Sequence, residues 1–574
     1  MIVDGRTLRS GVEKEHELCV VGSGIAGMLL VMELAQTYKD ICIIESGAWT
    51  PDDDTQSLYA LNSIGYPIRK HYQSRIRYFG GSCNIWAGRA MIYNESDLRP
   101  RPWLGSVSWP IDFAELDRYY AAAARYLNLP SYEKMKPETW QSKLSDFETR
   151  LFRDGNFRAN VSLFAKAPAR FGYKTKYFKK VRDSTNITLY INSNVVNLRL
   201  NEALSHVVSV DVACLNGVRY TIKPKKVVLA CGGLENTRIL LASDKQMPGG
   251  IGNRSGLLGR YYMDHPRAVF GRVKLTKKIK LDHLLGMPVT GGKMQLGIAL
   301  SDRIQAMQGL LNNYLTLEPC YSIGSMELYQ SFVKLMKRLL RKGYSGKRFD
   351  FKNQQMADVP EMIYLLTPKE LLPHFIYYPY YKYSRIAKNV FTNLTHLSIV
   401  NYSEQEPNIA SHVYLDDEKD KLGMRKLVLD WKLSNRSFNS SVRLMRLLDE
   451  HFRRYGAGYI EQDLTEIKEL PYTDASHHLG TTRMSANPKT GVVDANCQVH
   501  GLENLYITGS SVFPTAGHAN PTLTIAAMSL RLADYLKKLA ACSSERSMKF
   551  RSAFPGGRRH LWFKTQNIET KSPR

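Results

Sequence analysis

The chain lacks the features that would take it out of the ordinary globular class. No apolar run approaches the roughly 18 residues that a membrane-crossing helix needs. The opening, Met1-Ile2-Val3-Asp4-Gly5-Arg6, has no charged-then-apolar leader layout, so export by its own signal is not expected. The eight cysteines are scattered, without a CxxC pair or a Cys/His cluster. Neither a disulfide framework nor a metal site is therefore expected, and Cys19 and Cys42, inside apolar runs, read as small core residues. No repeat of fixed period, zinc-finger spacing or RNP-like aromatic motif is found.

Acidic residues are the scarcer charge, leaving a net charge of +26. Such an excess first suggests nucleic acid, but its distribution argues against that partner. Residues 328–349 hold seven Lys/Arg and no acid, and residues 543–574 hold eight Lys/Arg and two acids; together they supply +13. The excess reads as surface attachments on an otherwise mildly basic body. The first of them sets Phe332, Leu335, Met336, Leu339 and Leu340 among its cations. That is a basic amphipathic helix, suited either to an anionic membrane surface or to packing on the body. The tyrosine-dense run 375–383 suits sugar stacking, a lipid interface or a lid, and the sequence does not choose.

A length of 574 residues implies two or three domains. Near the start, Leu18 to Val21 reads as a buried strand and Gly22-Ser23-Gly24-Ile25-Ala26-Gly27 as a GxGxxG turn. Met28 to Tyr38 has helical spacing, and Ile41 to Ile44 is a second buried strand. This is a βαβ unit with a dinucleotide fingerprint in its required context. Gly22 permits the tight turn, Gly24 lets backbone approach a pyrophosphate, and Gly27 lets helix and strand pack closely. Glu45 ends the second strand, 21 residues after Gly24, where a carboxylate can accept from both ribose hydroxyls. The fingerprint alone does not separate NAD from FAD. Strand-like runs recur at 187–200, 207–215, 227–230 and 259–272, and Asn520-Pro521 has the form of an N-cap and first residue opening a helix over 521–538.

The far end separates the cofactors. His477-His478-Leu479-Gly480-Thr481-Thr482-Arg483-Met484, Gly491-Val492-Val493-Asp494, Gly509-Ser510-Ser511-Val512-Phe513-Pro514 and Asn520-Pro521-Thr522 follow in order. This series resembles the C-terminal signature of the glucose–methanol–choline (GMC) oxidoreductases, in the bacterial branch near fructose dehydrogenase, gluconate dehydrogenase and pyranose oxidase. Gly80-Gly81-Ser82-Cys83-Asn84-Ile85-Trp86, Met263-Asp264-His265-Pro266 and Glu404-Gln405-Glu406-Pro407-Asn408 are similar to further stretches of that branch. The resemblance covers roughly 1–270 and 395–540.

It implies an α/β (α+β overall) protein with a Rossmann-like FAD-binding domain and a discontinuous substrate domain on a large, mostly antiparallel sheet. The expected boundaries are 1–112, 187–271 and 472–542 for the FAD domain, and 113–186 and 272–471 for the substrate or cap domain. Residues 543–574 are expected to form a flexible basic tail. By position, Val195 would meet the adenine, Gly509 and Ser510 the pyrophosphate and ribityl chain, and Gly81, Asn84 and Trp86 the flavin side. Ile85 stands where some relatives carry a histidine linked to FAD, so FAD is expected to be non-covalent. His477 aligns with the family's catalytic histidine, with His478 as competitor, and a neutral imidazole suits removal of a hydroxyl proton. Asn520 would hold the alcohol oxygen, with Pro521 beside it. His518 and Gln405 are held as substrate-lining candidates; Glu404 and Gln405 read equally well as strand-surface residues.

The expected activity is FAD-dependent oxidation of a CH–OH group on a sugar, polyol or cyclitol, by hydride transfer to flavin N5. A flavin-containing lyase is one alternative. A membrane-peripheral subunit passing electrons to a quinone or cytochrome partner is another. The electron acceptor (oxygen, quinone or cytochrome) stays open, and the expected location is cytoplasmic or membrane-peripheral.

Overall fold

The structure, a computed structural model, describes residues 1–68, 74–105, 107–320 and 395–553. The βαβ unit forms as the apolar runs require. Leu18, Cys19, Val20, Ile41, Cys42, Ile43, Val227, Val228 and Leu229 are fully buried, which is the pattern of parallel strands covered on both faces. The strand Glu13–Val21 lies between Ile41–Ile44 on one side and Arg219–Leu229 on the other, parallel to both. Ile187–Ile191 and then Ile2–Asp4 extend the sheet beyond Ile41–Ile44. At the far edge Arg219–Leu229 is shared. Its first half pairs antiparallel with Val207–Ala213, and its end pairs parallel with Leu505–Ile507. The stretch 187–200 read as one run is two strands, Ile187–Ile191 and Asn194–Leu200.

The fingerprint turn launches the helix Ile25–Leu34. Packed against it is the long helix Thr522–Ala553, which also packs on Phe113–Tyr126. Glu33 ties the three together, accepting from the Tyr126 hydroxyl at 2.7 Å and from Lys537 at 2.8 Å. The helix Phe113–Tyr126 therefore belongs to the nucleotide-side layer, although the sequence placed 113–186 with the cap. The last helix also runs to Ala553, well past the expected end at 538 and into the stretch expected to be a flexible tail.

The second large sheet is antiparallel throughout. Its order is Gly458–Ile460, Arg267–Leu275, His396–Ser403, Asn313–Cys320, Gly292–Leu300, Phe157–Ala165 and Arg89–Ala90, with Met287–Val289 beside Gly292–Leu300. Two of its strands, Arg89–Ala90 and the start of Arg267–Leu275, fall inside segments that the sequence assigned to the FAD domain. Gly292–Leu300 is buried at seven consecutive positions, so it shows no alternation that would have announced it. A three-stranded sheet, His412–Lys419, Arg425–Trp431 and Leu61–Gly65, lies against the helix Gly232–Ala242. The amphipathic helix Asn435–Arg454 backs the antiparallel sheet. No described helix is long and apolar enough to cross a membrane. The basic segment 328–349 and the tyrosine run 375–383 lie outside the described residues.

Candidate active site

Two adjoining clefts run between the sheets. The first runs along the fingerprint turn, with Glu45 and Val195 at its lining together with Gly81, Gly509 and Ser510. The turn has the form the chemistry needs. Gly22 has φ +100°, and a Cβ there would stand 2.7 Å from the Ala230 carbonyl. A Cβ on Gly27 would meet the Gly22 carbonyl at 2.1 Å, so that glycine sets the helix-to-strand approach. A Cβ on Gly24 would meet no protein atom within 4 Å and would project into open space at the N-terminus of the Ile25–Leu34 helix. That is the cradle a pyrophosphate takes. The Glu45 carboxylate holds the turn from the other side, accepting from the Ser23 amide at 3.0 Å, the Ser23 hydroxyl at 2.6 Å and the Gly47 amide at 2.9 Å.

The sequence reading missed the basic cluster where the two clefts meet, with Arg77 lining the first and Arg75 the second. Arg75 and Arg77 lie over the Tyr59 ring at 4.5 and 4.6 Å and share Glu235. Neither arginine sits in a motif, so only the fold brings them to the cleft.

The second cleft continues from the first past Ile85 and Trp86 to His477, His478, Asn520 and Pro521. The loop carrying His477 is held by Asp264, which accepts from the backbone amides of His265, Ala475 and His477 at 2.6–3.1 Å. Ser476 takes the left-handed conformation (φ +62°), unusual for a side-chain-bearing residue, and Asp474 accepts from both its amide and its hydroxyl. Burial, reinforced by Asp474, pushes the Asp264 carboxyl up to about 7.

A chain of ring nitrogens fixes the state of His477. His265 Nε2 lies 3.0 Å from the Gly517 carbonyl and 3.2 Å from the Ala516 carbonyl. Carbonyls only accept, so this nitrogen carries hydrogen. Burial pushes His265 down to about 4, leaving its ring a single proton and Nδ1 bare. His477 Nδ1, 2.9 Å away, must donate to it. Neutral His477 therefore keeps its hydrogen on Nδ1 and presents a lone pair at Nε2. Asn520 Nδ2 lies 3.3 Å from that atom, in position to donate. The Asn520 carbonyl oxygen is buried without a partner among the described residues, a polar atom available to a ligand. Asp264, His265 and His477 offer ligand atoms within 4.8 Å of one another, but the two Nδ1 atoms are spent on each other. His265 stood in a quoted motif without a role, because its role depends on a carbonyl 252 positions away.

His478 also lines the second cleft, but burial pushes it down to about 3, leaving a weakly basic ring. Four sequence expectations change. Asn84 does not reach either cleft; its amide clamps its own loop, donating to Phe79 O at 2.9 Å and accepting from Phe171 N at 3.2 Å. Gln405 is 1% exposed, with its amide spent on Asp264 N, Tyr262 O and Trp431 Nε1. His518 is 2% exposed and turned to Asn312 and Asp97 rather than to the cleft. Asn520 is not the helix cap: the first helical bond runs from Ile525 N to Pro521 O, one residue later, and the Asn520 side chain goes to His477. Glu404 is fully buried, in a paired contact with Arg101.

Known proteins are similar to this chain over most of its length. The chain is 23% identical over 567 residues to paromamine 6'-oxidase of Streptomyces fradiae, covering 91% of each. It is 21% identical to the fructose dehydrogenase large subunit of Gluconobacter japonicus, covering 90% of this chain and 97% of that one. Formate oxidase of Aspergillus oryzae has the same fold, at a TM-score of 0.54 and 17% identity over 92% of this chain and 99% of that one. Residues 407–529, which hold His477, Gly509 and Asn520, match the family model described as GMC oxidoreductase. With the fingerprint turn and the large antiparallel sheet in the same chain as this C-terminal block, the protein is similar to the GMC oxidoreductases, a family of FAD flavoproteins.

Proposed function

We propose that the protein oxidises a CH–OH group, on a sugar, polyol or cyclitol, with His477 as the base that takes the hydroxyl proton. Bound FAD supplies the hydride acceptor. The first cleft fits it: Gly24 leaves room for the pyrophosphate, Glu45 and Val195 stand at the adenosine end, and Gly509 and Ser510 line the path toward the second cleft. Ile85 has no group to form a bond to flavin. Burial pushes the nearby Cys83 thiol up to about 12, so it stays protonated near neutral pH. Both favour a non-covalently held cofactor.

The observation that carries the reading is the tautomer of His477. With its hydrogen on Nδ1, Nε2 is left as an acceptor that the Asn520 amide holds at 3.3 Å; a substrate hydroxyl takes the place of that amide hydrogen, and Nε2 accepts its proton as the carbinol hydride leaves and a carbonyl forms. Asn520 positions the oxygen through its amide. His265 fixes the ring and its tautomer from behind. The similarity to paromamine 6'-oxidase and fructose dehydrogenase supports a polyhydroxylated substrate.

The test is anaerobic rapid mixing of wild type and His477→Ala with a panel of alcohols, following the visible flavin band. General-base removal typically costs about 10²–10⁴-fold. Reduction should slow by that factor while the purified variant keeps its flavin. Near-normal reduction in the variant would remove His477 from the mechanism.

A further inference from the structure

The second cleft has an excess of positive charge that the alcohol chemistry above does not use. Among the described residues lining it, the charged side chains apart from the histidines are Arg75, Arg89, Arg267 and Glu235. Glu235 is already committed to Arg75, Arg77 and Arg238. Arg89 and Arg267 have no carboxylate partner among the described residues.

The fold holds these two guanidinium groups on neutral supports. Arg267, Tyr402 and Tyr314 are neighbours across three strands of the antiparallel sheet. The rings of Tyr314 and Tyr402 stack at 5.0 Å with an interplanar angle of 7°. Arg267 stands 5.7 Å from the Tyr402 centroid, and Arg89 stands 5.1 Å from Tyr402 and 5.3 Å from Tyr314. The only polar side-chain partner of Arg89 among the described residues is the Ser162 hydroxyl, at 3.0 and 3.2 Å. Aromatic faces attract a cation without neutralising it, and half-buried cations without counter-charge are costly unless a ligand supplies one. Guanidinium is also the group best shaped to grip a carboxylate or phosphate with two parallel hydrogen bonds.

We infer that the substrate is an anionic alcohol, one carrying a carboxylate or phosphate that Arg89 and Arg267 bind against the Tyr402 shelf while His477 and Asn520 take its hydroxyl end. The inference rests on the alcohol-oxidising reading and narrows it. It also disfavours cationic aminocyclitols, which two arginines without a carboxylate partner among the described residues would repel.

Two experiments on the flavin-loaded protein test it. In the first, acetate and inorganic phosphate are titrated separately while the oxidised flavin spectrum is followed. Saturable perturbation is expected, with the two anions separating a carboxylate site from a phosphate site. In Arg267→Met and Arg89→Met the half-saturating concentration should rise about 10–100-fold, the range for loss of a charged hydrogen bond. Arg267→Lys and Arg89→Lys keep the charge without the fork and should fall between, which guards against a Met variant that folds poorly. Absence of a saturable response, or equal affinity in all variants, overturns the inference. In the second, gluconate and sorbitol 6-phosphate are compared with sorbitol and glucosamine as reductants. Preference for one of the anions, lost in the Met variants, is expected; equal or better reduction by sorbitol or glucosamine overturns it. Failure of every alcohol to reduce the flavin would sink the alcohol-oxidation reading and the anionic-alcohol substrate with it, and the anion titration would then tell whether Arg89 and Arg267 still form an anion site.

Discussion

Gly24 and Gly27 stand in one turn, yet the space around them gives them opposite roles. A side chain at Gly24 would meet no protein atom, only the cradle meant for a ligand. Gly24→Val should therefore fold with a melting temperature near that of the wild-type apoprotein but purify colourless. A side chain at Gly27 would run into the Gly22 carbonyl, so Gly27→Ala should destabilise the fold itself by about 1–3 kcal/mol, the usual range for overpacking. Flavin content together with thermal melting separates the two. A yellow Gly24→Val protein would detach the cofactor from this turn. Both glycines were legible in the sequence because their roles depend on neighbours within a few residues. The Asn520 cap was misread by one position for a related reason. Asn-Pro fits a cap in isolation, but His477 competes for the amide, and no local pattern records that competition.

At the scale of an element, the loop that presents His477 is held by a carboxyl whose charge depends on pH. Asp264 is pushed up to about 7 by burial and by Asp474; unfolded, it would titrate near about 3.9. The folded chain thus holds this proton more tightly than the unfolded chain. The stability it contributes is fully present below about 4 and is lost as the pH rises through about 7. Asn cannot titrate, so the stability gap between wild type and Asp264→Asn should shift against the wild type from pH 5 to pH 8. Denaturant midpoints at each pH measure it, and a pH-independent gap would contradict the assignment. The sequence supplied the two halves of this element, Asp264-His265 and His477-His478, as separate motifs. Their meeting across 212 positions is flanked by the bridges Met263 to Leu479 and Arg267 to Thr473, long-range pairings that no local pattern records. The domain edges moved because Arg89–Ala90 and Arg267–Leu275 find their partners far along the chain, in the antiparallel sheet, although their sequence neighbours serve the nucleotide side.

Across the whole molecule, the two bodies are locked by a buried ion pair. Arg101 reaches Glu404 at 2.5 and 2.7 Å, and Glu404 also accepts from the amides of Asn312 and Gly517. This pair joins the roof to the loop that supplies the carbonyls behind His265. Removing one partner leaves the other charge buried alone, at a cost of about 3–5 kcal/mol. Glu404→Ala should lose that much in a denaturant titration and should loosen flavin, whereas a change below about 1 kcal/mol would show that the contact is peripheral. The strand Leu505–Ile507 and the helix Thr522–Ala553 come last in the chain but sit in the middle of the nucleotide body, against strand Arg219–Leu229 and helix Ile25–Leu34. On the ribosome, then, the earlier residues emerge with their central seam open. Because Gly509 and Ser510 line the first cleft, the pocket is complete only once this stretch has been made, and a chain terminated before it leaves an apolar surface for chaperones and proteases to recognise.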